Sequence, residues 1–540
     1  MPYELRPYQK AAVKAVMHEW RDGNRKTLLV LPTGTGKTVV FANVAKLCVE
    51  HGRRVLILAH RLELLQQAAA KIREAAGLES SIEKAELTAV GSDSMVVIAS
   101  MQTLAQEKRL RRYPPDYFQA VILDEAHHVL SESYQRIFAY FSGAFVLGVT
   151  ATAERGDKKQ LGSFFDSMAY EYSLKQAVED GYLVPLEAQT IPLKLDISSV
   201  KVQNGDLQAG ELGDVLEPYL EKIADEMAKV CAERKTVVFL PLIRISRKFT
   251  SLLHSRGFSA AEVNGTSADR AQILEDFNQG KYQVLCNSML LTEGWDCPPV
   301  DCIVVLRPTQ VRGLYMQMIG RGTRPFPGKE KLLILDFLWM SARHDICHPA
   351  VLTAGSKEVE EKMTEQMKNG EVMDLAEGAS QTERNILEER RKALARQLKE
   401  MKDRQRKVLN PLEVGMMLED ADIWDYEPVF RYEVQPPTEK QLALLQKYGM
   451  DPSTVESKGQ AQVLIRKLIE RQDQKLCTLK QIRFLESRGF VNVYRWSFTD
   501  ASEMMSRISA NGWNVPAGIV PEEYIPEQLK GKRKKKRRIR

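Results

Sequence analysis

A chain of 540 residues is longer than one hydrophobic core supports, so three or four domains are expected. With 44% hydrophobic and 27% charged residues the composition is that of an ordinary globular protein, and no apolar run reaches the roughly 18–20 residues of a membrane span. The net charge of +6 sits at one end, because residues 532–540 hold eight Lys or Arg; any nucleic-acid groove in the body must come from local arrangement. Seven cysteines without a CxxC pair argue against a disulfide framework and against a zinc site, and a reducing compartment is expected. The opening Met-Pro-Tyr-Glu-Leu-Arg lacks the charged-then-apolar order of a secretion signal.

In chain order, short aliphatic runs predict strands at 28–31, 55–59, 96–100, 121–124 and 146–150, then at 237–240, 260–263, 284–287, 303–307 and 332–337. Runs without alternation suit strands buried on both faces, as in parallel sheets covered by helices. Two such series predict two α/β domains in tandem, residues 1–180 and 181–345, joined where Gly181 and Pro185 interrupt a helical pattern. Residues 346–437 read as a charged helical region. Within 356–409, Leu387, Leu394, Met401 and Val408 recur every seven residues, predicting a long helix with a thin apolar stripe, solvated rather than a true coiled coil.

Residues 438–513 contain a forty-residue repeat in which Thr438/Thr478, Gln441/Gln481, Leu445/Leu485, Gly449/Gly489, Ser457/Ser497 and Ala461/Ala501 coincide. Each unit reads as a helix opened by Thr and stopped by Gly, then a second helix capped by Ser. Such a module suits interaction or nucleic-acid contact. The basic tail, 514–540, is expected to be disordered and to add salt-sensitive affinity for phosphates.

The chemistry begins after the first strand, where a Gly-bearing loop leads into a helix. Gly34 and Gly36 let backbone N–H groups converge on a phosphate without Cβ clashes, Lys37 adds a point charge, and Thr38 offers a hydroxyl to Mg²⁺. The full GxxxxGK[ST] pattern is not met, since Leu31 stands where its first Gly belongs. The run Val121-Ile122-Leu123-Asp124-Glu125 ends a strand in two acids at the sheet's C-terminal edge, beside that loop. Asp124 is placed to hold Mg²⁺ through its water shell and Glu125 to polarise an attacking water.

Together with Ala126-His127, these motifs resemble those of superfamily 2 DEAD/DEAH-type helicases over residues 3–337. The resemblance implies two tandem RecA-like parallel-sheet domains followed by a helical C-terminal region, with ATP and Mg²⁺ as cofactors. Leu5-Arg6-Pro7-Tyr8-Gln9 is similar to the family's adenine-recognition segment, so Gln9 would read the adenine edge with Arg6 near the ring. Thr33, Thr35, Gly294 and Asp296 fall at further nucleotide-side positions. Ala59-His60-Arg61 and Ser100-Met101-Gln102-Thr103 resemble motifs that hold one nucleic-acid strand; His60, Arg61, Ser100, Gln102 and Thr103 carry that role, joined by Asn264, Gly265 and Thr292 from the second domain. His127, Thr150 and Thr152 fall at coupling positions. Trp295 either stacks on a base or packs beneath its loop.

Gln317-Met318-Ile319-Gly320-Arg321-Gly322-Thr323-Arg324 matches a strong motif of the second domain. Gln317, Arg321 and Arg324, at i, i+4 and i+7, lie on one helical face or the loop joined to it. Guanidiniums brought from a second domain stabilise phosphoryl transfer only when the cleft closes, an effect on the order of 10³ to 10⁵ in rate.

Within the superfamily the motifs look nearest to the branch of RadD-like proteins and type I and III restriction motors, although the cysteine-rich zinc segment of the former and a nuclease signature are both missing. The expected function is therefore an ATP-dependent DNA helicase or duplex translocase in repair, recombination, replication or defence. DNA is favoured over RNA as partner. The alternatives are an RNA helicase and an ATP-gated scaffold acting through the C-terminal repeats, which would also supply protein contacts. A monomer is expected, in the cytoplasm of a bacterial or phage-infected cell, or in a nucleus if the source is eukaryotic.

Overall fold

The computed structural model describes residues 4–526 apart from 60–61, 85–86, 152–160, 204, 268, 289–294, 296, 341–344, 401–408, 425, 427, 429 and 431. The chain divides into two compact units, Met1–Glu383 and Arg384–Arg540.

The first unit holds two sheets. Strands β1 (Lys26–Val30), β2 (Val55–Ala59), β3 (Ser80–Glu83), β4 (Val96–Ser100), β5 (Ala120–Asp124), β6 (Phe145–Thr150) and β7 (Ser167–Glu171) form one, in the order β3-β4-β2-β5-β6-β1-β7. Every pairing in it is parallel. All of β2 and β4 is buried, as unbroken aliphatic runs demand of central strands. The edge strands β3 and β7 carry Ser-Ser-Ile-Glu and Ser-Met-Ala-Tyr-Glu, sequences without such a run, and went unpredicted.

The second sheet comprises β8 (Leu186–Asp196), β11 (Thr236–Phe239), β12 (Ala260–Val263), β13 (Val284–Asn287), β14 (Cys302–Val305), β15 (Leu332–Met340) and β16 (Val372–Asp374). A small antiparallel hairpin of β9 (Val202–Gln203) and β10 (Asp206–Leu207) lies between β8 and β11 in sequence. The order is β12-β13-β11-β14-β15-β8-β16, parallel except for β16.

Two boundaries differ from expectation. Because β16 pairs with β8, the second lobe runs past 345 into the segment read as a charged helical region. A three-residue strand leaves no periodic signal. Nor is 356–409 one helix: Lys357–Met367 is capped by the Ser356 side chain, Gly370 turns at φ +81°, and a new helix occupies Leu375–Glu400. Leu387 is buried as the stripe predicted, whereas Met401 and Val408 lie outside the described residues.

The second unit shows the repeat as structure. Thr438 and Thr478 each accept a hydrogen bond from the backbone N–H of the Gln three residues on, and that Gln side chain answers the Thr backbone. Gln441 Nε2 donates to Lys458 O at 3.3 Å, and Gln481 Nε2 to Phe498 O at 3.3 Å. Ser457 and Ser497 cap the second helices, Lys458–Asp473 and Phe498–Ala510. Gly449 and Gly489 turn the chain at φ +89° and +90°. Leu445, Leu485, Ala461 and Ala501 are buried in one core. Disorder expected from 514 onward does not hold for the described part: Tyr524 packs 5.8 Å from the Phe490 ring and 5.4 Å from Trp496, with Val515 and Ile519 on the same core. Residues 527–540, including the basic cluster, lie outside the described residues. Among the described residues no helix is long and apolar enough to cross a membrane.

Candidate functional site

The site is built at the C-terminal ends of β1 and β5, where a parallel sheet leaves a crevice. Past β1 the chain turns through Gly34 at φ +90° and Gly36 at φ +82° before the helix Lys37–Glu50 begins. Only glycine adopts this backbone easily, and the space is closed as well. A Cβ on Gly36 would lie 2.7 Å from Gln9 Nε2; one on Gly34 would lie 3.1 Å from Leu183 Cδ2 and 3.2 Å from Thr323 Oγ1. Thr35 is buried, its hydroxyl donating to Pro32 O at 2.7 Å, so this side chain shapes the loop.

The N-terminal segment fixes the loop from behind. Tyr8 OH and Gln9 Nε2 both donate to Thr35 O, at 2.6 and 3.0 Å, while Gln9 Oε1 accepts from Arg6 N at 3.0 Å. The Tyr8 ring stacks on Tyr172 at 4.5 Å and meets Tyr182 edge-on at 4.9 Å; Arg6 lies over Tyr182 at 4.9 Å. Arg6 and Gln9 thus join the loop to the segment that links the lobes.

At the end of β5, Asp124 Oδ1 accepts from the Glu125 backbone N–H at 3.0 Å, and Glu125 takes a left-handed φ of +56°. A non-glycine residue held there is strained, by about 1–3 kcal/mol, and such strain gathers at functional sites. The twist aims the carboxylate at Lys37, with Nζ 3.3 Å from Oε1, while His127 Nδ1 stands 3.5 Å from Oε2. Burial pushes the Glu125 carboxyl up, but Lys37, then His127, pull harder and hold it below the ordinary range. His128 stacks obliquely on His127, 4.0 Å between centroids.

The other wall comes from the second lobe. The helix Arg312–Ile319 presents buried Gln317 and ends at Gly320, so Arg321 and Arg324 lie on the loop beyond it rather than on the helix. Gly320 meets the phosphate loop directly: a Cβ there would lie 2.5 Å from Thr33 Cβ. Arg321 Nη1 donates to Trp295 O at 2.6 Å. Lys329 pins the loop, its ammonium donating to Gly322 O, Arg324 O and Pro298 O at 2.5, 2.9 and 3.0 Å.

One cavity of about 160 Å³ results, lined by Thr33, Gly34, Gly36, Lys37, Thr38, Asp124 and Glu125 from the first lobe and by Trp295, Gln317, Arg321 and Arg324 from the second. Two buried polar atoms in it, Thr33 Oγ1 and Trp295 Nε1, have no hydrogen-bond partner among the described residues. Lys71, on the helix Leu62–Ala76, also lines it and was missed from sequence, since one Lys on an amphipathic helix carries no signal. Partial burial of its ammonium group, with repulsion from Arg324 and Arg321, lowers its pKa against the pull of Asp124 and Glu74. Trp295 is buried, its ring 5.9 Å from Phe277, and it lines the cavity.

Among the described residues, those read as nucleic-acid contacts (Ser100, Gln102, Thr103, Asn264 and Gly265) do not line this cavity. Ser100 is buried at the end of β4, its hydroxyl donating to Gln102 Oε1 at 2.9 Å, and Thr103 is buried in the following turn. Asn264 is buried, its amide held by Glu262 and Thr266, with Gly265 in the same turn. Thr150 is buried at the end of β6, its carbonyl accepting from Leu31 N at 3.0 Å. His60, Arg61, Thr152, Thr292, Gly294 and Asp296 lie outside the described residues.

Two family models match in sequence order, one per lobe: "Type III restriction enzyme, res subunit" over residues 2–155 and "Helicase conserved C-terminal domain" over residues 219–325. The chain belongs to superfamily 2 of the helicases. This superfamily 2 chain is 31% identical to the putative ATP-dependent helicase IRC3 of Saccharomyces cerevisiae, over 66% of its own length and 54% of that protein's. It is 33% identical to the putative mitochondrial ATP-dependent helicase irc3 of Schizosaccharomyces pombe, over 62% and 57%. It is 24% identical to the DNA 3'-5' translocase XPB2 of Sulfurisphaera tokodaii, over 61% and 81%. The superfamily 2 chain thus spans little more than half the length of the two yeast relatives.

Proposed function

We propose that this chain hydrolyses ATP in the cleft between its two lobes and uses closure of that cleft to move along DNA, as a helicase or duplex translocase. The observation that carries the reading is the facing of Lys37, Asp124 and Glu125 by Arg321 and Arg324 across one cavity. The donor set fits a nucleoside triphosphate: a glycine cradle that a Cβ would fill, four basic side chains (Lys37, Lys71, Arg321 and Arg324), and two buried groups, Thr33 Oγ1 and Trp295 Nε1, left with hydrogen bonds to give. Mg²⁺ would be held by the Thr38 hydroxyl and Asp124, and supplies neutralisation of phosphate charge.

Each residue then has a defined task. The loop N–H groups and Lys37 bind the β- and γ-phosphates. Phosphate drawn to Lys37 competes with Glu125 for the ammonium, and the freed carboxylate, kept ionised by its neighbours, orients a water towards phosphorus. Arg321 and Arg324 complete the charge complement from the opposite lobe. Contact of Gly34 with Leu183 and Thr323, and of Thr33 with Gly320, makes those arginines reach the phosphate only when the lobes touch.

DNA is favoured over RNA because the Sulfurisphaera relative is named a DNA translocase and the first-lobe model is that of restriction motors. The compartment proposed is the one that holds the DNA: the cytoplasm of a bacterial or phage-infected cell, or the mitochondrion, where the S. pombe relative's name puts that protein. ATP turnover measured side by side with single-stranded DNA, duplex DNA and RNA tests the reading. Stimulation by either DNA is expected; stimulation by RNA alone overturns the choice of DNA, and no stimulation by any of them overturns the motor.

A further inference from the structure

The forty-residue repeat contains its own control. What both copies share is what the fold requires, and what one copy adds is free for another use. The first helices correspond without a gap, Glu439–Lys447 with Leu479–Glu486, both opened by the same Thr–Gln capping box. Their buried positions agree, Leu445 with Leu485 and Met450 with Phe490. Their outer positions do not: where the first copy has Leu444 and Tyr448, the second has Phe484 and Arg488.

These two changes build a surface together with Trp513, which is 56% exposed and follows the helix Phe498–Ala510. The Trp513 ring meets the Phe484 ring at 73° with centroids 6.0 Å apart, and the Arg488 guanidinium lies 5.6 Å from the Phe484 centroid. Trp513 is held outward by two successive left-handed residues, Gly512 at φ +63° and itself at φ +66°. Lys480, Arg483 and Arg507, all exposed, carry positive charge on the same two helices. Phe484 is half-buried, one side of its ring packed on the repeat core and the Arg488 guanidinium beside it, whereas the exposed indole next to it lies outside that core. The chemistry of this surface is that of a platform for unstacked bases, with cations to meet the phosphates.

We propose that Trp513, Phe484 and Arg488 form a base-stacking platform for single-stranded nucleic acid, a contact separate from any made by the two lobes. Duplex ends offer little to it, because their bases are already stacked. The inference rests on the reading of the chain as a nucleic-acid motor and adds a strand-specific contact to it.

Two variants of the full chain test it. Phe484→Leu with Arg488→Tyr copies the first repeat's outer face onto the second, a surface this fold already tolerates. Trp513→Asn removes the indole with a residue that accepts left-handed backbone. Fluorescence anisotropy at fixed salt, with oligo-dT and oligo-U of about 20 nucleotides and a blunt duplex as probes, reads the outcome. One stack lost weakens binding by about 5- to 150-fold, so each variant is expected to bind at least one single strand about tenfold more weakly while holding the duplex as before. A loss for oligo-dT alone assigns the platform to DNA, and a loss for oligo-U alone to RNA. Unchanged single-strand affinity in both variants overturns the proposal, as does an equal loss for the duplex. Should one variant unfold by circular dichroism, the other decides. Nucleic-acid stimulation of the unaltered chain's ATPase keeps the two ideas apart: its absence defeats the motor reading, whereas its presence with unaffected variants defeats only the platform.

Discussion

Gly320→Ala is the sharpest probe of closure, because it adds one methyl where the lobes touch. The new Cβ would lie 2.5 Å from Thr33 Cβ and 2.7 Å from Thr33 Cγ2. Carbon atoms settle at about 3.5–4.0 Å, so relief needs the lobes to part by about 1 Å. Groups positioned for reaction lose about 100-fold in rate for a misplacement of about 1 Å. Arg321 and Arg324 follow Gly320 directly and move with it. The expected result is a fall in kcat of about 100-fold at saturating ATP, Mg²⁺ and DNA, with little change in nucleotide affinity, since the phosphate loop itself is untouched. Steady-state ATPase with a nucleotide titration measures both, and thermal unfolding confirms that the fold persists. Thr33→Gly removes the opposing carbons together with the hydroxyl assigned to the nucleotide, so it lowers turnover by itself, and Gly320→Ala should cost less in that background than in the parent, the two changes not adding. A kcat within about threefold of the parent, or strict additivity, would refute a closure-dependent site.

Three further outcomes are expected. Glu125→Gln should lower hydrolysis by about 10²- to 10⁴-fold and retain ATP binding, because Lys37 loses its competitor; equal loss of binding in a nucleotide titration would count against the assigned role. Lys329 is pulled down to about 8 by burial, then opposed by Asp301 and Cys297 and aided by Arg324, so turnover should fall as pH rises through about 8 and one of its three hydrogen bonds is lost. The unfolded chain binds more protons at this residue between about 8 and 10.5, so its linkage to stability rises with pH, and thermal melts should not fall in parallel; Lys329→Arg should flatten that limb of the kcat profile. Glu83, fully buried on β3, accepts from Arg109 at 2.7 Å, Tyr113 OH at 2.8 Å and Ala89 N at 2.7 Å, so Glu83→Ala should cost about 3 kcal/mol in a denaturant melt without altering nucleotide affinity.

How far the sequence led depended on what each element needed. Central strands such as β2 and β4, buried on both faces, must be aliphatic throughout and were legible. Edge strands have one free side, so β3 is half serine and β16 is three residues long, and neither stood out. The long β8 alternates buried and half-buried residues over Leu186–Thr190, a pattern of period two that a search for unbroken runs passes over. In the candidate site, Gly34, Gly36, Lys37 and Thr38, with Asp124 and Glu125, could be read from the sequence as neighbours because each motif is local, and they line one cavity. Lys71 and Lys329 act through folding, which brings a helix of the first lobe and a turn of the second to the same cavity or loop, and nothing beside them in the chain announces it. The helical-face reading of Arg321 and Arg324 gave way to the loop because Gly320 ends the helix.

The aromatic stack of Tyr8, Tyr172 and Tyr182 has a consequence for modularity. The three rings come from the N-terminal helix, from beyond the last strand of the first sheet and from the connection to the second lobe, while Leu183 covers Gly34. A first lobe cut at 180 would therefore lose one ring of the stack and the cover of its phosphate loop. The lobes are joined like a folded hinge-plate whose pin is threaded through one leaf, and severing the connection dismantles part of the nucleotide loop's own support.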